Sequence, residues 1–155
     1  MGTPDFAVAS LKAIVEAGYN LVGVITAPDR PAGRGQQLKK SEVKVYAESQ
    51  QLTVLQPTNL KNVEFLAALK ALKAELQVVV AFRMLPEVVW DMPVLGSINL
   101  HGSLLPNYRG AAPIHWAVIN GEKETGVSTF FLKHQIDTGN VIGQASLPIG
   151  ENDTT

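Results

Sequence analysis

The chain contains no cysteine, so it has no disulfide framework and no thiolate metal site. That absence is compatible with an intracellular origin. Charge of either sign is scarce: 13 lysines and arginines face 14 aspartates and glutamates, for a formal net charge of -1. A globally basic nucleic-acid binder is excluded, although a local basic patch is not. No apolar run is long enough to span a bilayer, and the N-terminal residues do not read as a signal peptide. The expectation is a soluble, cytoplasmic protein. What is present is 155 residues, 46% of them hydrophobic, enough to bury one ordinary core in one domain.

Apolar runs alternate with helical patterns along the chain. Phe6, Leu11, Ile14 and Val15 have helical spacing, closed by Gly18, which predicts a helix over 6–17. "LVGVIT" (21–26) predicts a buried strand, and 28–40 a loop rich in glycine, proline and basic residues. A helix is expected from a Ser41 cap through Gln51, a short strand over 53–55, and a helix over 63–73 with Phe65, Leu66, Leu69 and Leu72 on one side. "LQVVVAF" (76–82) reads as a strand covered on both faces. A short helix (86–90), a strand (97–100), a short helix (114–120) and two later antiparallel strands (126–132 and 141–148) complete the pattern. This alternation predicts an α/β fold with a doubly wound, mostly parallel sheet. No strand precedes the opening turn and helix of "MGTPDFAV", and "IGENDTT" is a polar turn. The chain is read as a piece of a larger protein.

The candidate chemistry starts in "INLHGSLLPNYRGAAP" (98–113). Side chains alternate along a strand, so Asn99 and His101 share one face and Leu100 points to the other. Both stand at a strand's C-terminal end, where open α/β sheets bind ligands. A carboxamide donor and a titratable imidazole there suit oxyanion stabilisation and proton transfer. Asp137, in "KHQIDTGN", precedes a Thr-Gly turn signal. It either bonds its own turn or places its carboxylate beside His101, orienting the ring. The three together suit acyl transfer.

Other chemistries have less support. Ser103 lies close to His101, but no G-x-S-x-G elbow is present. His101, His115 and His134 lack close metal-ligand spacing, so no metal is expected. Neither a dinucleotide-binding nor a phosphate-loop glycine pattern occurs. The segment 27–44 holds Arg30, Arg34, Lys39, Lys40 and Lys44 against Asp29 and Glu42. It is either a solvated surface loop or a phosphate contact. Its length favours function, with Arg34, between two glycines, reaching furthest into a bound nucleic acid.

The segment 98–127, with "IDTG" downstream, resembles the folate-dependent formyltransferases. "GTPDFAV", "TAPDRPAGRG" and "VLQP", in that order, are similar to the branch of that family whose acceptor is methionyl initiator tRNA. The resemblance covers essentially the whole chain. It implies transfer of formyl from 10-formyltetrahydrofolate to the α-amino group of methionine through a tetrahedral oxyanion, with Asn99, His101 and Asp137 as the catalytic trio. It further implies that Ser103, Leu104, Leu105 and Pro106 contact the folate. Phe82, Arg83, Met84 and Leu85 would line the pterin pocket with backbone groups, and the loop from Lys133 to Asp137, with Gln135 and Ile136, would close over the ring. By the same resemblance, Arg34, Lys39, Lys40 and Lys44 belong to a tRNA-binding insertion, and the protein is a monomer.

The pattern is incomplete. The family's first strand, ahead of "GTPDF", and its C-terminal β-barrel are missing, so 1–155 is expected to be a partial catalytic domain. Arg83 stands where glycine is expected. Two rival readings remain. A sugar-nucleotide amine or water can replace tRNA as acceptor, against which the basic loop argues. A non-catalytic RNA-binding module gives the Asn-His-Asp trio no reason to converge.

Overall fold

The computed structural model describes every residue of the chain except 33–36 and 136. Its elements in chain order are α1 (Asp5–Glu16), β1 (Val24–Ile25), β2 (Arg30–Ala32), β3 (Gln37–Lys39), α2 (Glu42–Ser49), β4 (Val54–Leu55), α3 (Val63–Ala71), β5 (Gln77–Val80), α4 (Glu87–Trp90), β6 (Ser97–His101), α5 (Pro113–Ile119), β7 (Glu124–Phe131) and β8 (Val141–Pro148). The expected alternation is therefore present. Among the described residues, no helix is long and apolar enough to cross a membrane.

β5 pairs with β6 in parallel, with Val79 opposite Asn99 and Val80 opposite Leu100. β6 and β7 are antiparallel, as are β7 and β8. β1 and β4 form a separate parallel pair. Met1 and Gly2 lie between the two parts. The Gly2 amide donates to the Ile25 carbonyl at 3.0 Å, and the Val80 amide donates to the Met1 carbonyl at 2.9 Å. Gly2 thus makes a parallel bridge with Val80, and these two residues stand where the expected first strand would run. β1 is shorter than predicted because only Val24 and Ile25 find ladder partners in β4; apolar character alone does not make a strand.

Alternation along β5 feeds two cores. Val79 packs with Ile25, Phe65, Leu69 and Val89, under α3 and α4. Val80 packs with Ala7, Leu11, Val24, Val43 and Ala47, under α1 and α2. A fully buried valine, leucine or phenylalanine side chain contributes about 1.5–3 kcal/mol, which holds β5 and its neighbour β6 as the rigid centre. Leu100 packs against the second core, so Asn99 and His101 face the α3–α4 side.

The loop expected over 28–40 is instead a hairpin in which antiparallel β2 and β3 pair Arg30 with Lys39 and Pro31 with Leu38. Side chains far apart in sequence close its base. The hydroxyls of Thr26 and Ser41 stand 2.7 Å apart, and Gln56 Nε2 donates to the Ala27 carbonyl at 2.8 Å. Ser41 Oγ also caps α2 by accepting the Lys44 amide at 3.1 Å, as expected for serine before a helix.

Candidate active site

β6 delivers Asn99 and His101 to the C-terminal edge of the parallel strands. Asn99 is half-buried and His101 buried. Beyond them the chain turns sharply. An added Cβ at Gly102 would lie 3.0 Å from Ile114 Cγ1, so glycine allows α5 to pack directly behind His101.

Two groups fix the imidazole. His101 Nε2 lies 2.8 Å from the Tyr108 carbonyl oxygen. A carbonyl only accepts, so Nε2 carries a hydrogen and donates it, and in the neutral ring Nδ1 keeps its lone pair. Nδ1 faces Asp137 Oδ2 at 3.8 Å, and both side chains are about one-tenth exposed, 8% and 12%. That separation is a charge contact rather than a hydrogen bond. Asp137 Oδ2 accepts the Gly110 amide at 2.8 Å, which holds the carboxylate at the ring. Of the two readings of "IDTG", the structure places the carboxylate beside the imidazole.

Asp137 reaches His101 by an indirect path. β7 runs antiparallel to β6, and at its end the Leu132 amide donates to the Ser97 carbonyl at 2.8 Å, at the far end of β6. The connection to β8 then folds back along β6 to the His101 end. On the way His134 Nε2 meets Glu87 at 2.9 Å and stacks edge-on against Trp90, with ring centroids 5.4 Å apart.

Three residues not singled out from the sequence complete the surroundings. Tyr108 has φ of +55°, rare for a side chain of its size. Its phenol donates to Glu122 Oε1 at 2.5 Å and accepts from Asn120 Nδ2 at 3.1 Å. Ser128, opposite His101 in the β6–β7 register, is fully buried. It donates to the Ser103 carbonyl at 2.6 Å and accepts the Leu105 amide at 3.0 Å. Gln144 Nε2 adds bonds to the Leu105 carbonyl at 2.9 Å and to Ser128 Oγ at 2.8 Å. Ser103 Oγ donates to the Asn107 carbonyl at 2.7 Å. The hydroxyl of Ser103 and the backbone of Leu105 are thus committed to the turn itself. Leu104 is half-buried and Pro106 exposed.

Phe82, Arg83, Met84 and Leu85 leave β5 at the same edge. Among the described residues no backbone–backbone hydrogen bond involves them. Leu85 is buried, Phe82 half-buried and Met84 exposed. The segment offers uncommitted backbone donors and acceptors beside apolar side chains, a donor set that fits a flat heterocycle. The Arg83 guanidinium turns aside, donating to the Thr58 carbonyl at 2.8 Å and to that of Pro57. Gln135 is exposed. Ile136 lies outside the described residues, as does Arg34.

Lys39 and Lys40 are exposed on the hairpin side of α2. Lys39 pairs with Glu42 at 3.6 Å and Lys40 with Glu48 at 2.6 Å; the Glu48 hydrogen bond raises the Lys40 pKa. Such exposed pairs are worth little and can exchange for a phosphate. Lys44 differs: its side chain is 13% exposed and bonded to Asp29 at 2.6 Å.

Among the described residues no group of three or more His, Cys, Asp or Glu can hold a metal ion. An apolar cleft of about 560 Å³ between 21–25 and 76–78 contains none of the candidate residues and belongs to the opposite end of the sheet.

Residues 1–155 match the formyl transferase family. The chain is 66% identical over 153 residues to a methionyl-tRNA formyltransferase of Bacteroides fragilis, covering 99% of this chain and 47% of the relative. It is 68% identical over 154 residues to one of Parabacteroides distasonis, covering 99% and 48%. The chain thus spans about half the length of the curated relatives it matches. The phosphoribosylglycinamide formyltransferase of Bacillus halodurans superposes with a TM-score of 0.79 over 99% of this chain and 80% of that one, at 21% identity. That likeness shows the fold.

Proposed function

The chain belongs to the formyl transferase family, and we propose that it carries the catalytic site of an enzyme that transfers formyl from 10-formyltetrahydrofolate to the α-amino group of methionine on initiator tRNA. The observation that supports this reading is His101 Nδ1 facing Asp137 Oδ2 at 3.8 Å, with Asn99 two residues before His101 on the same face of β6. The amine nitrogen attacks the formyl carbon, and the carbonyl pair moves onto oxygen. The Asn99 carboxamide donates to that oxyanion, assisted by His101 once protonated. The Nδ1 lone pair of His101 takes the proton from the attacking amine, and Asp137 stabilises the resulting imidazolium. Collapse breaks the bond between the formyl carbon and N10. N10 receives the proton, leaving formylmethionyl-tRNA and tetrahydrofolate.

Phe82, Arg83, Met84 and Leu85, with Ser103, Leu104, Leu105, Pro106 and Gln135, form the folate side of this site. The basic hairpin supports tRNA as the acceptor: Lys39 and Lys40 offer exchangeable ammonium groups, and Arg34 belongs to the same insertion. A monomeric, cytoplasmic enzyme without a metal fits this reading.

The test is formyl transfer to methionyl initiator tRNA, to a sugar-nucleotide amine and to water, measured side by side. The assay uses the chain alone and the chain extended to its relatives' length. Preference for tRNA supports the proposal. Folate turnover with no tRNA preference would retain the trio's chemistry and remove the acceptor assignment.

A further inference from the structure

The hairpin contains an acid where a polyanion is expected to bind. Asp29 stands at its entrance, one residue before β2. Its Oδ2 accepts from Lys44 Nζ on α2 at 2.6 Å, and its Oδ1 accepts from Gln56 Nε2, just past β4, at 2.7 Å. The Gln56 amide also bonds the Ala27 carbonyl at 2.8 Å. Both carboxylate oxygens are used, and each ties the hairpin to a different element. Lys44 meets Glu48 Oε1 as well, at 3.9 Å. Its ammonium is therefore turned inward between two acids, in contrast to exposed Lys39 and Lys40.

We propose that Asp29 is a positioning residue for the acceptor arm, and that with Lys44 and Gln56 it fixes the direction in which the hairpin presents its cations. The proposal rests on the hairpin contacting tRNA. Its consequence has an unusual sign. A carboxylate repels phosphates, so by charge alone its removal tightens RNA binding. If Asp29 instead orients the arm, its removal weakens binding, because phosphate contacts must be made from a fixed geometry and ordering a loose arm costs affinity.

The experiment measures binding of methionyl initiator tRNA, by fluorescence anisotropy, to the chain extended to its relatives' length, for wild type, D29N, K44M, K44R, Q56A and D29N/K44M. D29N and K44M should each weaken binding by about threefold to tenfold. The double variant should be no weaker than either single one, since both break the same tie. K44R, which keeps the ion pair, should bind near the wild-type level, and Q56A should fall between. Folate binding should stay at the wild-type level in all of them, which separates a displaced arm from a damaged fold.

Tighter or unchanged binding by D29N would overturn the positioning role. So would a double variant lying between a tight D29N and a weak K44M, because that pattern marks Lys44 as a direct phosphate contact shielded by Asp29. Absence of tRNA binding by the extended wild-type protein would instead remove the hairpin's assignment as the acceptor arm, and the positioning role with it.

Discussion

His101 Nδ1 and Asp137 Oδ2 face each other across 3.8 Å, although the chain between them runs from one end of β6 to the other and back. The carboxylate is held there by Gly110 rather than by the imidazole, so among the described residues Nδ1 makes no hydrogen bond and stands next to negative charge. A neutral imidazole so placed takes a proton from an attacking amine, and the resulting cation finds its counter-ion in position. H101A should lower formyl transfer by about 10²–10⁴-fold while leaving tRNA affinity near wild type. D137N, which keeps the shape and removes the charge, should reduce kcat far more than it changes KM for either substrate. Single-turnover kinetics with matched binding measurements check both. Retained turnover in H101A would remove the imidazole from the chemistry.

Tyr108 supplies the acceptor for Nε2 through its backbone, while its phenol is fixed elsewhere. The hydrogen bond to Glu122 raises the phenol above its usual pKa, and the weaker bond from Asn120 opposes the shift. A hydrogen bond made by the neutral hydroxyl favours the protonated form, so the Tyr108 phenol should ionise above the ordinary tyrosine range. A spectrophotometric titration should show a phenol that ionises late, and E122Q should bring the Tyr108 phenol back toward its ordinary value. An unchanged late phenol in E122Q would assign the shift to another cause.

Gly139 closes the motif that contains Asp137. A Cβ placed there would overlap the Phe131 carbonyl oxygen, which is backbone and cannot swing away. Gly139→Ala should therefore displace the connection between β7 and β8, with Asp137 two residues upstream. Overpacking of this kind costs about 1–3 kcal/mol, so denaturant unfolding should show a lower midpoint, and activity should fall more than that loss of stability explains. An active Gly139→Ala protein of wild-type stability would contradict the packing at this turn.

The fold was legible wherever the signal is local. The apolar run of β5 and the helical spacing of α1 and α3 mark their elements, and strand alternation alone places Asn99 and His101 on one face. Asp137 was legible as a residue, but its approach to His101 depends on a connection folding back along β6, which no periodicity encodes. The part played by Tyr108 is carried by a carbonyl that every residue has, in a left-handed conformation that its side chain does not announce. The β2–β3 pairing is not legible in the sequence because its closure depends on Thr26 with Ser41 and Gln56 with Ala27, pairs remote in sequence whose residues carry no turn signature.

The tie at Asp29 has a pH dependence with a definite sign. The Lys44 hydrogen bond first, then that of Gln56, hold the Asp29 carboxyl below its ordinary value of 3.8, with smaller contributions from the charges of Lys44 and Lys40. A carboxyl whose folded pKa lies below its unfolded value contributes fully above the unfolded value and loses that contribution as pH falls through the folded one. Amide-exchange protection in β2 and β3 should hold from neutrality down to pH ~4 and drop only below it. In K44M the largest cause of the lowering is gone, so the Asp29 carboxyl should titrate at higher pH, as followed by its carbon chemical shift, and the hairpin should loosen earlier on acidification. A K44M protein whose Asp29 titrates as in the wild type would show that Lys44 does not hold this carboxylate in solution.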